Sequence, residues 1–162
     1  MDMREEILNF IEKNSRVDLK EVAVCLGISE IDVANELAAM ESEGIICGYH
    51  TLIDWDKVTQ ERIHALIEVR VTPQRGRGFD EVAERIYKYP EVQATYLISG
   101  GFYLLVFMEG KTLREISSFV YEKLSTMEFV MSTTTHFVLK KYKDHGIILN
   151  SKNEDERMIM TP

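Results

Sequence analysis

Cysteine and proline are scarce in this sequence, and long hydrophobic runs are absent. Its 162 residues include 2 cysteines, Cys25 and Cys47, whose separation matches neither a metal-ligand motif nor a disulfide framework. We therefore expect two reduced thiols and a cytoplasmic protein. No segment reaches the roughly 20 consecutive apolar residues that a membrane span requires, and the acidic start after Met1 is unlike a signal peptide. The sequence thus predicts no membrane partner.

Basic residues are scarce in the first third of the chain. Residues 1–60 contain 5 Lys and Arg against 13 Asp and Glu, whereas residues 61–162 contain 14 of each. The formal net charge of −8 is therefore carried entirely by the first sixty residues. This asymmetry predicts two domains with different surfaces.

Residues that define a catalytic or metal site are not found at the required spacings. The chain has 4 histidines, and none of them forms a recognised motif with a nucleophile or with further metal ligands. They are His50, His64, His136 and His145. The sequence therefore predicts no catalytic residue, no metal site and no cofactor.

Three helical patterns fill the first 43 residues. Apolar residues recur at helical spacing in each of them; Gly27 ends the second helix and Ser29 begins the third. Two short helices joined by a glycine turn form a helix-turn-helix, whose second helix enters the major groove of DNA. Residues 45–53 contain two short β patterns around Gly48, which suit a wing. We therefore predict a winged helix-turn-helix domain over residues 1–53, with a plain three-helix core as the alternative.

The predicted recognition helix, residues 29–43, contains five acidic residues and neither Lys nor Arg. DNA binding depends largely on basic side chains that neutralise phosphates, so this composition predicts a weak affinity for DNA. Asparagine and serine side chains can hydrogen-bond base edges, and alanine can contact a thymine methyl group. Together with two residues of the wing, these side chains are the candidate contacts to double-stranded DNA: Ser29, Ala34, Asn35, Ala38, Tyr49 and His50.

The second half of the chain has the element order β-α-β-β-α-β, which makes this an α+β protein. The predicted segments are a hinge over residues 54–62, a ferredoxin-like domain over residues 63–149 and a flexible tail over residues 150–162. The central strand is predicted at Phe102–Met108, where every residue is apolar or aromatic. Both helices pack on one face of the sheet, which leaves Leu66 and Leu97 on the other. Such an apolar face predicts a homodimer or a higher homo-oligomer.

A glycine turn precedes the central strand and is a candidate site for a small-molecule effector. The turn exposes backbone amides that can hold polar groups of a ligand, and threonine hydroxyls from the last strand or from a neighbouring dimer could complete the site. The candidate effector-binding residues are Ser99, Gly100, Gly101, Phe102, Tyr103, Thr133 and Thr135. A turn without any ligand is the alternative.

With both halves described, the chain resembles the leucine-responsive regulator/AsnC family. The resemblance rests on Leu26–Ser29, on Glu43–Tyr49, on Gly100–Gly101 and on Thr133–Thr135. It implies a winged helix-turn-helix joined to an ACT-like domain that senses an amino acid, dimers formed through the sensor sheets, and regulation of transcription.

Two positions differ from the pattern of that family and keep other functions open. Glu36 lies where the resemblance implies arginine, and Tyr103 lies where it implies aspartate. The first alternative is a sensor that binds DNA weakly and acts by pairing with a paralogue. The second is a subunit of an enzyme similar to the sirohaem decarboxylases, which share the two-domain shape.

Overall fold

The computed structural model describes residues 2–58, 62–72, 78–101 and 103–149, which fall into two compact units, Met1–Ile53 and Asp54–Pro162. Three features predicted from the sequence therefore lie wholly or partly outside the described residues. They are Phe102 of the turn, part of the hinge at residues 59–61, and the predicted tail at residues 150–162.

The first unit consists of three helices around a small apolar core. They are α1 (Met3–Lys13), α2 (Leu19–Leu26) and α3 (Glu30–Ser42). The core is made of side chains with at most 4% exposure: Ile7, Val22, Ala23, Val33 and Met40. Their helical spacing is the reason that these three segments bury one face each.

The turn between α2 and α3 is closed by its glycine. Gly27 has a φ of +69°, a conformation that favours glycine. The amides of Gly27 and Ile28 both donate to the carbonyl of Ala23, which satisfies the end of α2. The predicted helix-turn-helix is therefore confirmed.

The predicted β structure of the wing is wrong. Residues 45–53, all of which the structure describes, contain no strand. The amides of Ile45 and Ile46 instead donate to the carbonyl of Met40 at 2.9 and 3.1 Å and close the end of α3. Since these amides are already used, and since a two-stranded hairpin of two or three residues a side is marginal by itself, the segment does not pair.

The second unit has the predicted ferredoxin-like order of elements. The elements are β1 (Ile63–Val71), α4 (Gly78–Ile86), β2 (Val92–Leu97), β3 (Leu104–Gly110), α5 (Leu113–Phe119), β4 (Val130–Phe137), β5 (Lys143–Asp144) and β6 (Ile147–Ile148). The helix α5 continues into a π-helical turn, Val120–Leu124. All strands pair antiparallel, with the sheet order β2-β3-β1-β4 and a separate β5–β6 hairpin. The predicted central strand is an inner strand, β3, between β2 and β1.

One face of this sheet carries the core of the unit. Alternate residues of β1 and β3 are at most 1% exposed and pack with the helices: Ala65, Ile67, Val69, Leu104, Val106 and Met108. The residues between them lie on the opposite face, which we call the open face. Leu66 lies there, as predicted, opposite Phe107. The prediction for Leu97 is wrong, because Leu97 lies opposite the buried Leu104 and therefore on the side of the helices.

Candidate functional site

The recognition helix α3 buries one side and exposes the other. Val33 and Met40 are fully buried in the core of the first unit. The opposite side is formed by exposed residues at helical spacing, and we call it the crest: Ile31, Asn35, Ala38 and Ser42. The crest contains no charged side chain, so the acidic residues of α3 lie to either side of it.

The acidic residues on one flank of α3 are bound by an arginine of α1. The Nε of Arg4 donates to Glu36 Oε2 at 2.8 Å. Its two terminal nitrogens donate to the two carboxylate oxygens of Glu43 at 2.8 and 3.1 Å. The hydrogen bond from Arg4 lowers the pKa of Glu43, and the bonds to Glu43 and Glu36 raise the pKa of Arg4. We call this group the Arg4 cluster; it places a cation beside two carboxylates of the recognition helix.

Two more carboxylates beside the crest accept hydrogen bonds. Ser29 begins α3, and its hydroxyl accepts from the amide of Asp32 at 3.1 Å and donates to the Asp32 carboxylate at 2.7 Å. The hydroxyl of Tyr49 donates to Glu41 at 2.8 Å, and this bond raises the pKa of Tyr49. The residues that cap and follow α3 therefore orient its acidic side chains.

The six predicted DNA contacts fall into three pairs. Asn35 and Ala38 are exposed on the crest, and Asn35 has no hydrogen-bond partner among the described residues. Ser29 and Tyr49 are bonded to carboxylates. The two remaining positions are the half-buried Ala34 and the exposed His50.

Ile31 is a crest residue that the sequence-based prediction missed. Its side chain is 72% exposed in the first turn of α3. The signal was present in the sequence, because Ile31 does not share the helical spacing of the buried Val33 and Met40.

The candidate effector turn joins β2 to β3. The amide of Ile98 donates to the carbonyl of Tyr103 at 2.8 Å and closes the loop. Ser99, Gly100 and Gly101 are all exposed. Gly100 has a φ of +146°, and a Cβ added at Gly100 or Gly101 would meet no atom within 4 Å. The turn therefore offers backbone groups with open space above them.

Within one chain, the candidate effector residues Thr133 and Thr135 do not lie beside the turn. Thr133 and Thr135 lie opposite Val69 and Ile67 on β1, on the face covered by helices. The hydroxyls of Thr133 and Ser125 are 3.3 Å apart, within hydrogen-bond distance. Because β1 lies between β3 and β4, Thr133 is about 10 Å from the strand that follows the turn. One chain thus does not bring these threonines against the turn.

Tyr103, the last of the candidate effector residues, packs in the core of the second unit. Its ring lies 4.9 Å from that of Phe79 on α4, centroid to centroid. The side chain is half-buried. The packing of Tyr103 against Phe79 is enough to explain why an aromatic residue occupies this position.

The open face of the sheet carries both aromatic and charged side chains. Tyr96 and Phe107 form an edge-to-face pair with centroids 5.8 Å apart, and they are 51% and 37% exposed. Beside them, His136 Nε2 lies 3.1 Å from Glu68 Oε1. Aromatic residues surrounded by polar ones are typical of a surface that contacts another protein.

Neither a metal cluster nor a membrane-spanning helix is found in the part of the chain that the structure describes. No three His, Cys, Asp or Glu residues among those described are placed to hold a metal ion. Within the same residues no helix is both long enough and apolar enough to cross a bilayer.

Known proteins resemble both halves of this chain. The family described as the Lrp/AsnC ligand binding domain matches residues 64–148. An HTH-type transcriptional regulator of Bacillus subtilis, YugG, is 45% identical over 158 residues, which cover 97% of this chain and 95% of that protein.

Two solved structures share the fold at low sequence identity. A transcriptional regulator from Neisseria meningitidis in complex with L-Met has a TM-score of 0.70 at 23% identity, covering 89% of this chain and 92% of that one. The leucine response regulatory protein of Mycobacterium tuberculosis has a TM-score of 0.75 at 19% identity, covering 93% and 99%. The family match and the Bacillus relative show that this chain belongs to the Lrp/AsnC family of helix-turn-helix transcriptional regulators.

Proposed function

We propose that this protein regulates transcription by inserting the crest of α3 into the major groove of promoter DNA, under the control of an amino acid bound at the Ser99–Gly101 turn. The observation that carries the proposal is the exposed, uncharged crest on the second helix of a helix-turn-helix. In this motif the second helix contacts base edges.

The Arg4 cluster supports DNA binding by a helix that is acidic in sequence. Arg4 lies between Glu36 and Glu43 at hydrogen-bond distance from both. A guanidinium paired with two carboxylates reduces the negative potential beside the groove, because opposite charges at this distance largely cancel at long range. The remaining repulsion makes the affinity low, and the small number of basic side chains that can contact phosphates makes the dependence of the affinity on salt shallow.

The proposed effector site needs more than one chain. The turn supplies exposed amides, whereas Thr133 and Thr135 of the same chain lie on another strand, under the helices. We therefore propose that a neighbouring subunit completes the site beside the turn. The Neisseria relative of this fold was crystallised with L-Met, which supports an amino acid as the class of effector.

Self-association through the open face is part of the same proposal. The exposed Phe107 on the inner strand β3 contacts Tyr96 on the edge strand β2 on this face. A second copy of the chain would cover them most simply, because a twofold interface uses the same surface on both subunits. Assembly into dimers or larger closed oligomers would also bring two recognition helices onto one DNA duplex.

DNA binding is tested with the full-length protein and a labelled duplex from its own promoter. Fluorescence anisotropy at 50 and 150 mM salt should show weak binding whose affinity falls only shallowly with salt. The variant Asn35→Ala, which lacks one side chain of the crest, should bind DNA more weakly than wild type while unfolding at the same temperature. Absence of binding at both salt concentrations would contradict the proposal. It would favour the alternative of a co-regulator that acts through a paralogue.

Effector binding is tested by calorimetry across the twenty amino acids. Gly101→Val should abolish the heat of binding, because a Cβ at this position meets no atom within 4 Å and the new side chain extends into the space above the turn. Gly48→Val is the matched control, since a Cβ at Gly48 also meets no atom within 4 Å and the residue lies in the first unit. Binding that survives Gly101→Val would place the effector elsewhere.

A further inference from the structure

We propose that Trp55, Arg62 and Glu109 form a clamp that fixes the start of the hinge to the sheet of the second unit and thereby decides which spacing of two DNA half-sites the protein accepts. This inference rests on the proposed function, because it needs both DNA binding and self-association. It goes beyond that function by assigning the choice of spacing to three side chains outside the recognition helix.

The clamp is centred on Arg62, which immediately precedes β1. The central carbon of its guanidinium lies 3.5 Å from the centre of the Trp55 ring, and one terminal nitrogen donates to Glu109 Oε1 at 2.6 Å. One face of the guanidinium is thus stacked on an indole while its edge is bound to a carboxylate, an arrangement that suits arginine better than lysine. Arg62 therefore joins the start of the hinge to the end of β3.

The stack on Arg62 is the main attachment of Trp55 to the second unit. Trp55 begins a single 3-10 turn, Trp55–Lys57, in which the amide of Val58 donates to the carbonyl of Trp55 at 3.0 Å. Among the described residues, the apolar side chains that pack on the core of this unit do not include Trp55. The indole is nevertheless half-buried. Release of Arg62 would therefore free the start of the hinge.

Among the described residues, the other ionisable groups on this part of the sheet do not replace the clamp. They surround His64, which lies opposite Glu109, and they include Lys141 and Asp144. The pKa of His64 is lowered by burial, so its imidazole is neutral at pH 7 and does not compete with Arg62 for Glu109. Asp144 is already paired with Lys141 at 3.6 Å.

The clamp shortens the free part of the chain between the two units. The first unit ends at Ile53, two positions before Trp55, and two residues of chain span at most about 7 Å. Without the clamp the free connection would continue to β1, which begins at Ile63. Residues 54–62, as a flexible chain, would have an r.m.s. span of roughly 15 to 18 Å.

This difference in length matters for a protein that binds two half-sites. In a twofold assembly the half-sites lie about 34 Å apart, which is one turn of the duplex. An insertion of five base pairs adds about 17 Å and turns one half-site to the opposite side of the duplex. Two free hinges could follow such a change, whereas two clamped hinges could not. The clamp therefore predicts a requirement for one spacing.

The first experiment tests the clamp in the full-length protein without DNA. The sequence contains a single tryptophan, Trp55, so tryptophan fluorescence reports on the stack alone. Arg62→Met and Glu109→Gln should raise its quenching by acrylamide by about twofold, because the stack covers one of the two ring faces. Arg114→Met, which removes an exposed charge from α5, should leave quenching unchanged. Equal quenching in wild type and Arg62→Met would overturn the clamp.

The second experiment measures how DNA affinity depends on spacing. The duplexes contain the binding site from the protein's own promoter, with no insertion or with five or ten base pairs inserted between its two halves. Wild type should lose about tenfold or more in affinity with five base pairs and recover most of it with ten. Arg62→Met and Trp55→Ala should lose less than about threefold with five base pairs. Arg114→Met should behave as wild type.

The outcomes separate this inference from the proposed function. Wild-type binding that tolerates the five-base-pair insertion, or clamp variants as sensitive as wild type, would overturn the clamp and leave the proposed function standing. Failure of wild type to bind any of the duplexes would overturn both. Trp55→Ala keeps the bond between Arg62 and Glu109, so it frees the hinge without changing the charges on the sheet. Thermal unfolding and light scattering show whether each variant retains its fold and its assembly.

Discussion

Arg4 and Glu43, which are 39 positions apart in the chain, are joined by two hydrogen bonds of 2.8 and 3.1 Å. The pairing is bidentate, an arrangement in which the planar guanidinium matches the carboxylate. Together with the bond to Glu36 it connects α1 to the recognition helix at 2.8 Å. The two elements are therefore linked by charge as well as by the apolar core.

Removal of Arg4 should weaken DNA binding. In Arg4→Met the carboxylates of Glu36 and Glu43 lose their cation, and the electrostatic potential beside the crest becomes more negative. We expect the affinity for DNA to fall by about three- to tenfold at 0.1 M salt, because two carboxylates beside the groove are then no longer compensated. Anisotropy titrations with promoter DNA provide the measurement.

Lys13→Met is the matched control for this variant. Lys13 lies in the last turn of the same helix and takes no part in the Arg4 cluster, so the same charge is removed without uncovering a carboxylate. An equal loss of affinity in both variants would show that only the net charge matters and that the cluster has no specific effect.

Neutralising one acid of the cluster should have the opposite effect. In Glu36→Gln the pair between Arg4 and Glu43 is retained, while one repulsive charge is removed beside the groove. We expect DNA affinity to rise by about threefold at 0.1 M salt. Glu12→Gln, an exposed acid of α1, should change affinity less, and a larger gain from Glu12→Gln would contradict the predicted orientation of α3.

A charge on the open face should break the proposed dimer. Phe107→Glu places a carboxylate beside Tyr96 on that face. Burying it against a second subunit is unfavourable, so the dimer dissociation constant should rise about 30-fold or more. Light scattering over a concentration series measures this change.

The control for the open face is an equally apolar residue on the helical side. Leu113 begins α5 and is 53% exposed. An acidic residue suits the first turn of a helix, so Leu113→Glu should leave the oligomer intact. A wild-type mass equal to that of one chain at micromolar concentration would contradict the proposal of a dimer.

The pH dependence of stability should depend on His64. Burial, together with the positive charges of Lys141 and Arg62, lowers the pKa of His64 below its ordinary value of 6.5, although Glu109 opposes this shift. The unfolded chain therefore binds a proton more readily than the folded one. Stability contributed by neutral His64 is present above pH 6.5 and is lost as the pH falls below that value.

Urea unfolding at a series of pH values tests this prediction. His64→Gln should make the free energy of unfolding less dependent on pH as the pH falls below about 6.5. His136→Gln serves as the comparison, because His136 is exposed on the open face with a carboxylate 3.1 Å away. If His64→Gln leaves the slope unchanged while the fold is intact, the burial of His64 does not affect stability.

The helices α1 to α5, the strands β1 to β4 and their order could be predicted from the sequence, because each depends on neighbouring residues. The helical spacing of Val33 and Met40 predicts which side of α3 is buried, and Gly27 and Ser29 mark the turn between two helices. The alternation along β1 likewise predicts that Ile67 faces the core. The resemblance to the Lrp/AsnC family also rests on such local patterns.

Other features depend on which distant segments meet. Arg4 reaches Glu36 and Glu43 only because the core brings the start of α1 beside α3. The register of β4 against β1, in which Thr133 lies opposite Val69, decides on which face of the sheet Thr133 lies. Residues 45–53 form no strand because two of their amides already donate to a carbonyl at the end of α3.

The sequence by itself therefore determined the two kinds of domain and the exposed turn, whereas only the tertiary structure decided which residues pair with the carboxylates of the acidic recognition helix. A spacing pattern records whether a side chain is buried or exposed. It does not record which partner from another segment neutralises that side chain, because charge pairing depends on distance in space and not on separation along the chain.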